Sequence, residues 1–207
     1  MDHKKKRLLH LLREKSYHHR ADPPFTLASG RKSPYYIDCK PTMHHPEGKA
    51  LIAEIIFNRI KGLNIDAIGG LTMGADPIAI ATSLLSYLRG RPIKSFSVRK
   101  TPKGRGTEKT IEGDICPGDK VIIVDDVITS GASVITAVRA AENFGLKIIK
   151  VIVLVDREEG GREAIEKRVP KVEAIFTLRD LKELDTVEGD SPKGVVSRPV
   201  KPAYSAM

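Results

Sequence analysis

The chain has 207 residues, 41% of them hydrophobic and 29% charged, which suits one globular domain with a substantial core beneath a well-solvated surface. It contains no run of about 18 apolar residues, so no membrane span is expected. The net charge of +9 fits a polyanionic partner, either nucleic acid or a phosphorylated small molecule, but 5% aromatics and the absence of Trp leave few platforms for stacking bases.

Leu8, Leu11 and Leu12 recur at helical spacing among basic residues and predict a helix over residues 3–15. The leading segment has neither a continuous apolar region nor a small-residue cleavage site, so no secretory signal is expected. Residues 22–46 are punctuated by Pro23, Pro24, Gly30, Pro34, Pro41 and Pro46, with Tyr35-Tyr36-Ile37-Asp38 as a short strand between them. Leu51, Ile52, Ile55, Ile56 and Ile60 share one face of a helix over 47–60, and Gly62 stops it.

An alternating pattern follows. Strands are expected over 65–69, 93–98, 120–124, 147–155 and 172–176. Helices are expected over 74–88, 131–144, 161–168 and 178–184. Residues 99–119 read as a long polar loop. Continuous apolar strands alternating with helices predict an α/β fold with a central, mostly parallel sheet flanked by helices on both faces. Residues 1–187 form the expected single domain, and the proline-bearing tail over 188–207 is expected to be poorly ordered. Cys39 and Cys116 lie far apart without metal-ligand spacing and read as reduced thiols of a cytoplasmic protein.

The strongest chemical signal is Val121-Ile122-Ile123-Val124-Asp125-Asp126-Val127-Ile128-Thr129-Ser130-Gly131-Ala132-Ser133. A buried strand ends at two adjacent acids, a small hydroxyl-rich loop follows, and a helix begins. Ligands of open α/β sheets bind beyond the carboxyl ends of strands. Free N–H groups and the helix dipole favour a phosphate there, and Thr129, Ser130 and Ser133 add hydroxyl donors. Adjacent carboxylates repel unless hydroxyls or cations meet them, and ribose hydroxyls do so. Nearby negative charge also stabilises a cationic sugar carbon as its leaving group departs. The competing reading makes Asp126 a helix cap and Asp125 merely exposed. The segment lacks the Gly-Lys-Ser/Thr ending of a Walker A loop.

Two weaker elements accompany it. Gly69-Gly70-Leu71-Thr72-Met73-Gly74 also joins a strand to a helix, and its glycines permit close backbone approach to an anion, or simply make a turn. Arg99-Lys100-Thr101-Pro102-Lys103-Gly104-Arg105-Gly106 opens the polar loop. It suits either a solvated loop or a lid that neutralises a leaving anion and excludes water.

The segment over 121–133 resembles the motif with which type I phosphoribosyltransferases bind phosphoribosyl pyrophosphate (PRPP). Phe25-Thr26-Leu27-Ala28-Ser29-Gly30-Arg31-Lys32-Ser33-Pro34-Tyr35-Tyr36-Ile37-Asp38, the basic loop and Val155-Asp156-Arg157-Glu158-Glu159-Gly160-Gly161 further resemble the orotate phosphoribosyltransferases, over about residues 25–165. The resemblance implies the type I phosphoribosyltransferase fold with a small N-terminal hood, built from about residues 1–46 and the C-terminal segment. It implies transfer of the 5-phosphoribosyl group of PRPP to orotate, giving orotidine 5-phosphate and diphosphate in pyrimidine synthesis, with Mg2+ carried by PRPP rather than held by protein ligands.

By resemblance, Asp125 and Asp126 hold ribose hydroxyls, and Val127, Ile128, Thr129, Ser130, Gly131, Ala132 and Ser133 form the 5-phosphate loop. Thr72 and Met73 stand in the diphosphate loop, and Arg99, Lys100, Lys103 and Arg105 stand in the PRPP loop. Lys103 and Asp125 carry the catalytic expectation, the first on the leaving diphosphate and the second in acid–base support. Tyr35, Tyr36, Thr129 and Arg157 are the orotate residues, Arg157 through a bidentate guanidinium unless it is a surface ion-pair residue. The family's loop acts across a homodimer, which implies that residues 99–118 serve the partner's site. Ala28, Met73 and Arg105 depart from the family's more usual Lys, Lys and His. The rival readings are a phosphoribosyltransferase for another base and a PRPP-sensing regulator that binds RNA through its basic surface.

Overall fold

The computed structural model describes residues 2–26, 30–100 and 110–187, so the tail over 188–207 lies outside the described residues. Helix α1 (His3–Lys15) buries Leu8, Leu9, Leu11 and Leu12, the stripe expected from its spacing. Strands β1 (Tyr17–His19), β2 (Phe25–Thr26), β3 (Lys32–Ser33) and β4 (Tyr35–Ile37) form two small antiparallel ribbons, β1 with β4 and β2 with β3. These make the hood. A short helix α2 (Lys40–His44) follows, with Pro41 in its first turn, and then α3 (Pro46–Ile60). Pro is tolerated there because first-turn N–H groups have no helical partner.

The chain then alternates through β5 (Ala67–Leu71), α4 (Asp76–Leu88), β6 (Lys94–Val98), β7 (Ile111–Gly113), β8 (Lys120–Ile128), α5 (Ala132–Phe144), β9 (Lys147–Asp156), α6 (Gly161–Glu166), β10 (Val172–Thr177) and α7 (Leu178–Val187). The sheet order is β10-β9-β8-β5-β6-β7. All neighbours are parallel except β6 and β7, so the expected mostly parallel sheet has one antiparallel edge. β7 lies inside the segment read as loop. Only Ile111 of its residues is buried, a signal too weak to mark a strand.

Alternate side chains of the central strands feed two cores. Ile122, Val124, Ile152 and Leu154 face the layer containing α1, α3 and α4. Val121, Ile123, Val151 and Val153 face α5 and α6. Ile122 and Ile123 are fully buried, so truncating either to Ala costs about 2–5 kcal/mol. This two-sided burial fixes the strands' register and so fixes where their carboxyl ends deliver the polar residues.

The strand bearing the paired acids is longer than expected. β8 does not stop at Val124 but runs on to Ile128, with Asp125 opposite Val153, Val127 opposite Val155 and Ile128 opposite Asp156 on β9. Two acids in succession read as a strand end. Ladder hydrogen bonds to a β9 that runs on to Asp156 override that preference.

Candidate active site

The carboxyl ends of β5, β6 and β8 open onto a cleft of about 700 Å³. One wall is Leu71, Thr72, Met73 and Gly74; a second is Ser97, Arg99, Lys100 and Glu112; Asp125, Asp126, Val127 and Ser133 complete it with Lys40. The strand-end acids, the glycine loop and the base of the basic loop therefore meet in space.

The wall at 71–74 is held by Asp76, at the start of α4. Its carboxylate accepts hydrogen bonds from the Thr72 hydroxyl at 2.6 Å and the Ser97 hydroxyl at 2.6 Å. The Thr72 amide donates to the Val98 carbonyl at 2.8 Å, and Thr72–Met73 is a cis peptide. Asp76 thus ties β5, β6 and α4 together beneath the cleft. Sequence reasoning missed it, because an Asp before Pro at a helix start has an ordinary local role.

Asp125 is buried on β8, and Asp126 is partly exposed beside it. The Asp126 amide donates to Asp125 Oδ1 at 3.0 Å, and the Val127 amide donates to Asp126 Oδ1 at 2.9 Å. Burial, then repulsion from Asp126, pushes the Asp125 carboxyl up to about 8. Burial also raises Asp126, opposed by its bond from Val127 and by the charge of Lys40. One carboxyl of the pair thus keeps its proton near neutrality while the other faces a cation.

Beyond β8, Gly131 adopts φ +79°, and a Cβ there would lie 2.8 Å from the Gly161 carbonyl oxygen. Only glycine lets the 129–133 turn press against the start of α6 and leave Ser130, Ala132 and Ser133 exposed at the head of α5. Ser133 reaches the cleft, Thr129 is half-buried, and Ile128 is buried in the core. Ile128 therefore meets an anion only through its backbone.

The basic loop is anchored at both described ends. The Arg99 amide donates to the Thr110 carbonyl at 2.9 Å, and the Arg99 guanidinium pairs with Glu112 at 3.2 Å. Lys103 and Arg105 lie outside the described residues, as does Ala28.

The expected orotate residues stand apart from the cleft lining. Tyr35 stacks on His19 at 4.9 Å and on Tyr17 at 5.9 Å, with Lys182 Nζ 4.0 Å from its ring centre. Tyr36 stacks on His18 and Phe25. Arg157 follows β9 and is 4% exposed, so the surface ion-pair reading is wrong about its location. It does have a carboxylate partner, Glu159, at 2.9 Å. It also donates to the Tyr35 carbonyl at 3.3 Å and lies 3.4 Å from the Ser33 hydroxyl. Glu159 in turn pairs with Arg31 at 2.5 Å. Arg157 therefore joins the hood to the sheet.

Lys40 is the other residue that sequence reasoning missed. It opens α2 among prolines, where nothing in the local pattern marks a site. Cys39 beside it is fully buried, and burial followed by repulsion from Asp126 pushes its thiol well up, which keeps it protonated and inert.

The Phosphoribosyl transferase domain family matches residues 43–179 of this chain. An orotate phosphoribosyltransferase of Aquifex aeolicus is 44% identical over 177 residues, spanning 86% of this chain and 97% of its own. One from Rhodopseudomonas palustris (strain BisB5) is 45% identical over 162 residues, spanning 76% and 85%. The Mycobacterium tuberculosis orotate phosphoribosyltransferase solved with PRPP superposes with a TM-score of 0.71 at 34% identity, covering 86% of this chain and 99% of that one. With the aspartate-bearing strand, the glycine loop and the hood all in place, the chain belongs to the orotate phosphoribosyltransferases of the phosphoribosyl transferase domain family.

Proposed function

We infer that this chain transfers the 5-phosphoribosyl group of PRPP to orotate, giving orotidine 5-phosphate and diphosphate in pyrimidine nucleotide synthesis. The observation that carries the reading is the placement of Asp125 and Asp126 on the cleft wall between the glycine loop and the 129–133 turn. In this reading the exposed turn receives the 5-phosphate through its amides and hydroxyls. The aspartates take the ribose hydroxyls, and the negative charge that the pair retains favours the cationic sugar carbon as diphosphate leaves. Asp125, protonated near neutrality, supplies acid–base support. Thr72, Met73, Arg99, Lys100, Lys103 and Arg105 surround the diphosphate, with Lys103 meeting its developing charge.

Orotate occupies the space between the sheet and the hood. Arg157 presents its guanidinium to the carboxylate, and Thr129, Tyr35 and Tyr36 border the base. Mg2+ arrives with PRPP, where it neutralises the diphosphate and keeps most of its water. Among the described residues no helix is long and apolar enough to cross a membrane. Cytoplasmic placement accords with the two free thiols and the phosphorylated substrates.

A homodimer belongs to the same reading. Ile80, Leu84, Tyr87 and Leu88 are all more than half exposed on one side of α4, at successive helical turns. In this reading a second copy covers the stripe, and each 99–118 loop serves the other subunit's cleft. The assay that tests the function mixes purified protein, MgPRPP and orotate, adenine or uracil, followed by ultraviolet absorbance. Consumption of orotate alone is expected; turnover of adenine or uracil without orotate contradicts the assignment.

A further inference from the structure

We propose that Lys40 is a further substrate-contacting residue, whose ammonium binds the diphosphate of PRPP opposite Asp126 and supplies the cation that the glycine loop lacks. The proposal rests on the PRPP reading above and adds to it a residue outside the expected loops.

A diphosphate in this cleft faces an electrostatic difficulty. Asp125 and Asp126 stand on one side, and the wall at Leu71, Thr72, Met73 and Gly74 offers no positive charge, the Thr72 amide and hydroxyl already donating to the Val98 carbonyl and to Asp76. The described cations lining the cleft are Lys40, Arg99 and Lys100, and Arg99 is engaged by Glu112. Lys40 enters from the hood side, so it reaches the anion from a direction that the 99–100 segment does not cover.

Its position is set in advance. The Lys40 amide donates to Asp38 Oδ1 at 3.1 Å, and Nζ donates to the same oxygen at 3.0 Å. The side chain remains 49% exposed, so its head stays open to a ligand. Its hydrogen bond with Asp38, together with the charges of Asp38 and Asp126, outweighs partial burial and strengthens its hold on the proton. A long amine fixed at its base, charged and open at its tip, can move from Asp38 to a phosphate oxygen without rebuilding the backbone.

The test is titration calorimetry with Mg2+ on the full chain, using PRPP, inorganic diphosphate and orotidine 5-phosphate as probes. Orotidine 5-phosphate fills the sugar and 5-phosphate sites but carries no diphosphate. Lys40→Met is expected to weaken PRPP and diphosphate binding about 10- to 100-fold, with orotidine 5-phosphate affected less than about twofold. Lys40→Arg retains most of the affinity, and adding Met73→Lys to Lys40→Met restores much of it. Equal weakening of all three probes, or no weakening of any, overturns the proposal. A wild-type protein that fails to bind PRPP overturns the underlying reading instead, so the two failures are distinct.

Discussion

Gly74 leaves no room for a side chain beside Asp125: a Cβ built on it would lie 2.6 Å from Asp125 Oδ1, and 2.7 Å from Asp126 Oδ1. The glycine loop and the acid pair are therefore one site, each shaped by the other. Gly74→Ala is predicted to push the carboxyls from their positions, at a cost of about 1–3 kcal/mol in stability. Steady-state kinetics should show kcat/KM for PRPP lowered at least about tenfold, with far-ultraviolet circular dichroism unchanged.

Asp125 binds its proton more tightly in the folded chain than an ordinary Asp does, its carboxyl standing at about 8. Between the usual Asp value, about 4, and 8 the folded state holds more protons than the unfolded state, so stability from this group falls as pH rises through that window. Asp125→Asn removes the penalty. It should raise Tm by roughly 3–8 °C above pH 8 and have little effect below about pH 4. The same variant should lose about two orders of magnitude in kcat, because an amide cannot exchange the proton. Differential scanning calorimetry across pH, paired with activity, checks both halves.

Arg157 is predicted to matter twice, once for orotate and once for the hood. Arg157→Ala leaves the half-buried Glu159 with only Arg31 and cuts the tie to Tyr35, costing about 2–3 kcal/mol. It should also raise the orotate KM by about tenfold or more, with a smaller effect on the PRPP KM. A change confined to Tm would restrict Arg157 to a structural role.

Lys103 and Asp125 allow a test of loop action across the dimer. Lys103→Ala and Asp125→Asn homodimers should each be nearly inactive. If each loop serves the partner's cleft, every mixed dimer contains one site with both residues intact and one with neither. An equilibrated equimolar mixture then recovers about one quarter of wild-type activity, since half the dimers are mixed and each has one working site. If each loop serves its own cleft, every site in the mixture carries one lesion and activity stays at the level of the separate variants.

Much of this was legible in the residues. Two acids after an apolar run, followed by small hydroxyl residues, pointed to a sugar-phosphate site, and Asp125, Asp126 and Ser133 do line one cleft. Strand alternation announced the sheet. What escaped was set by long-range geometry. β8 extends through Asp125 and Asp126 because β9 pairs with it, a constraint absent from either segment alone. Arg157 is buried because Ser33 and Tyr35, more than a hundred residues earlier, close over it. Lys40 reaches the cleft because α2 turns the hood back toward the sheet, and its neighbours Pro41 and Cys39 gave no hint of that.

The most direct measurement is the crystal structure of the protein soaked with MgPRPP. Density is predicted for the ribose hydroxyls on Asp125 and Asp126, for the 5-phosphate on the turn at 129–133, and for the diphosphate between Thr72, Lys100 and Lys40. Sugar density elsewhere, or aspartates left facing only protein while PRPP is bound, would contradict the assignment.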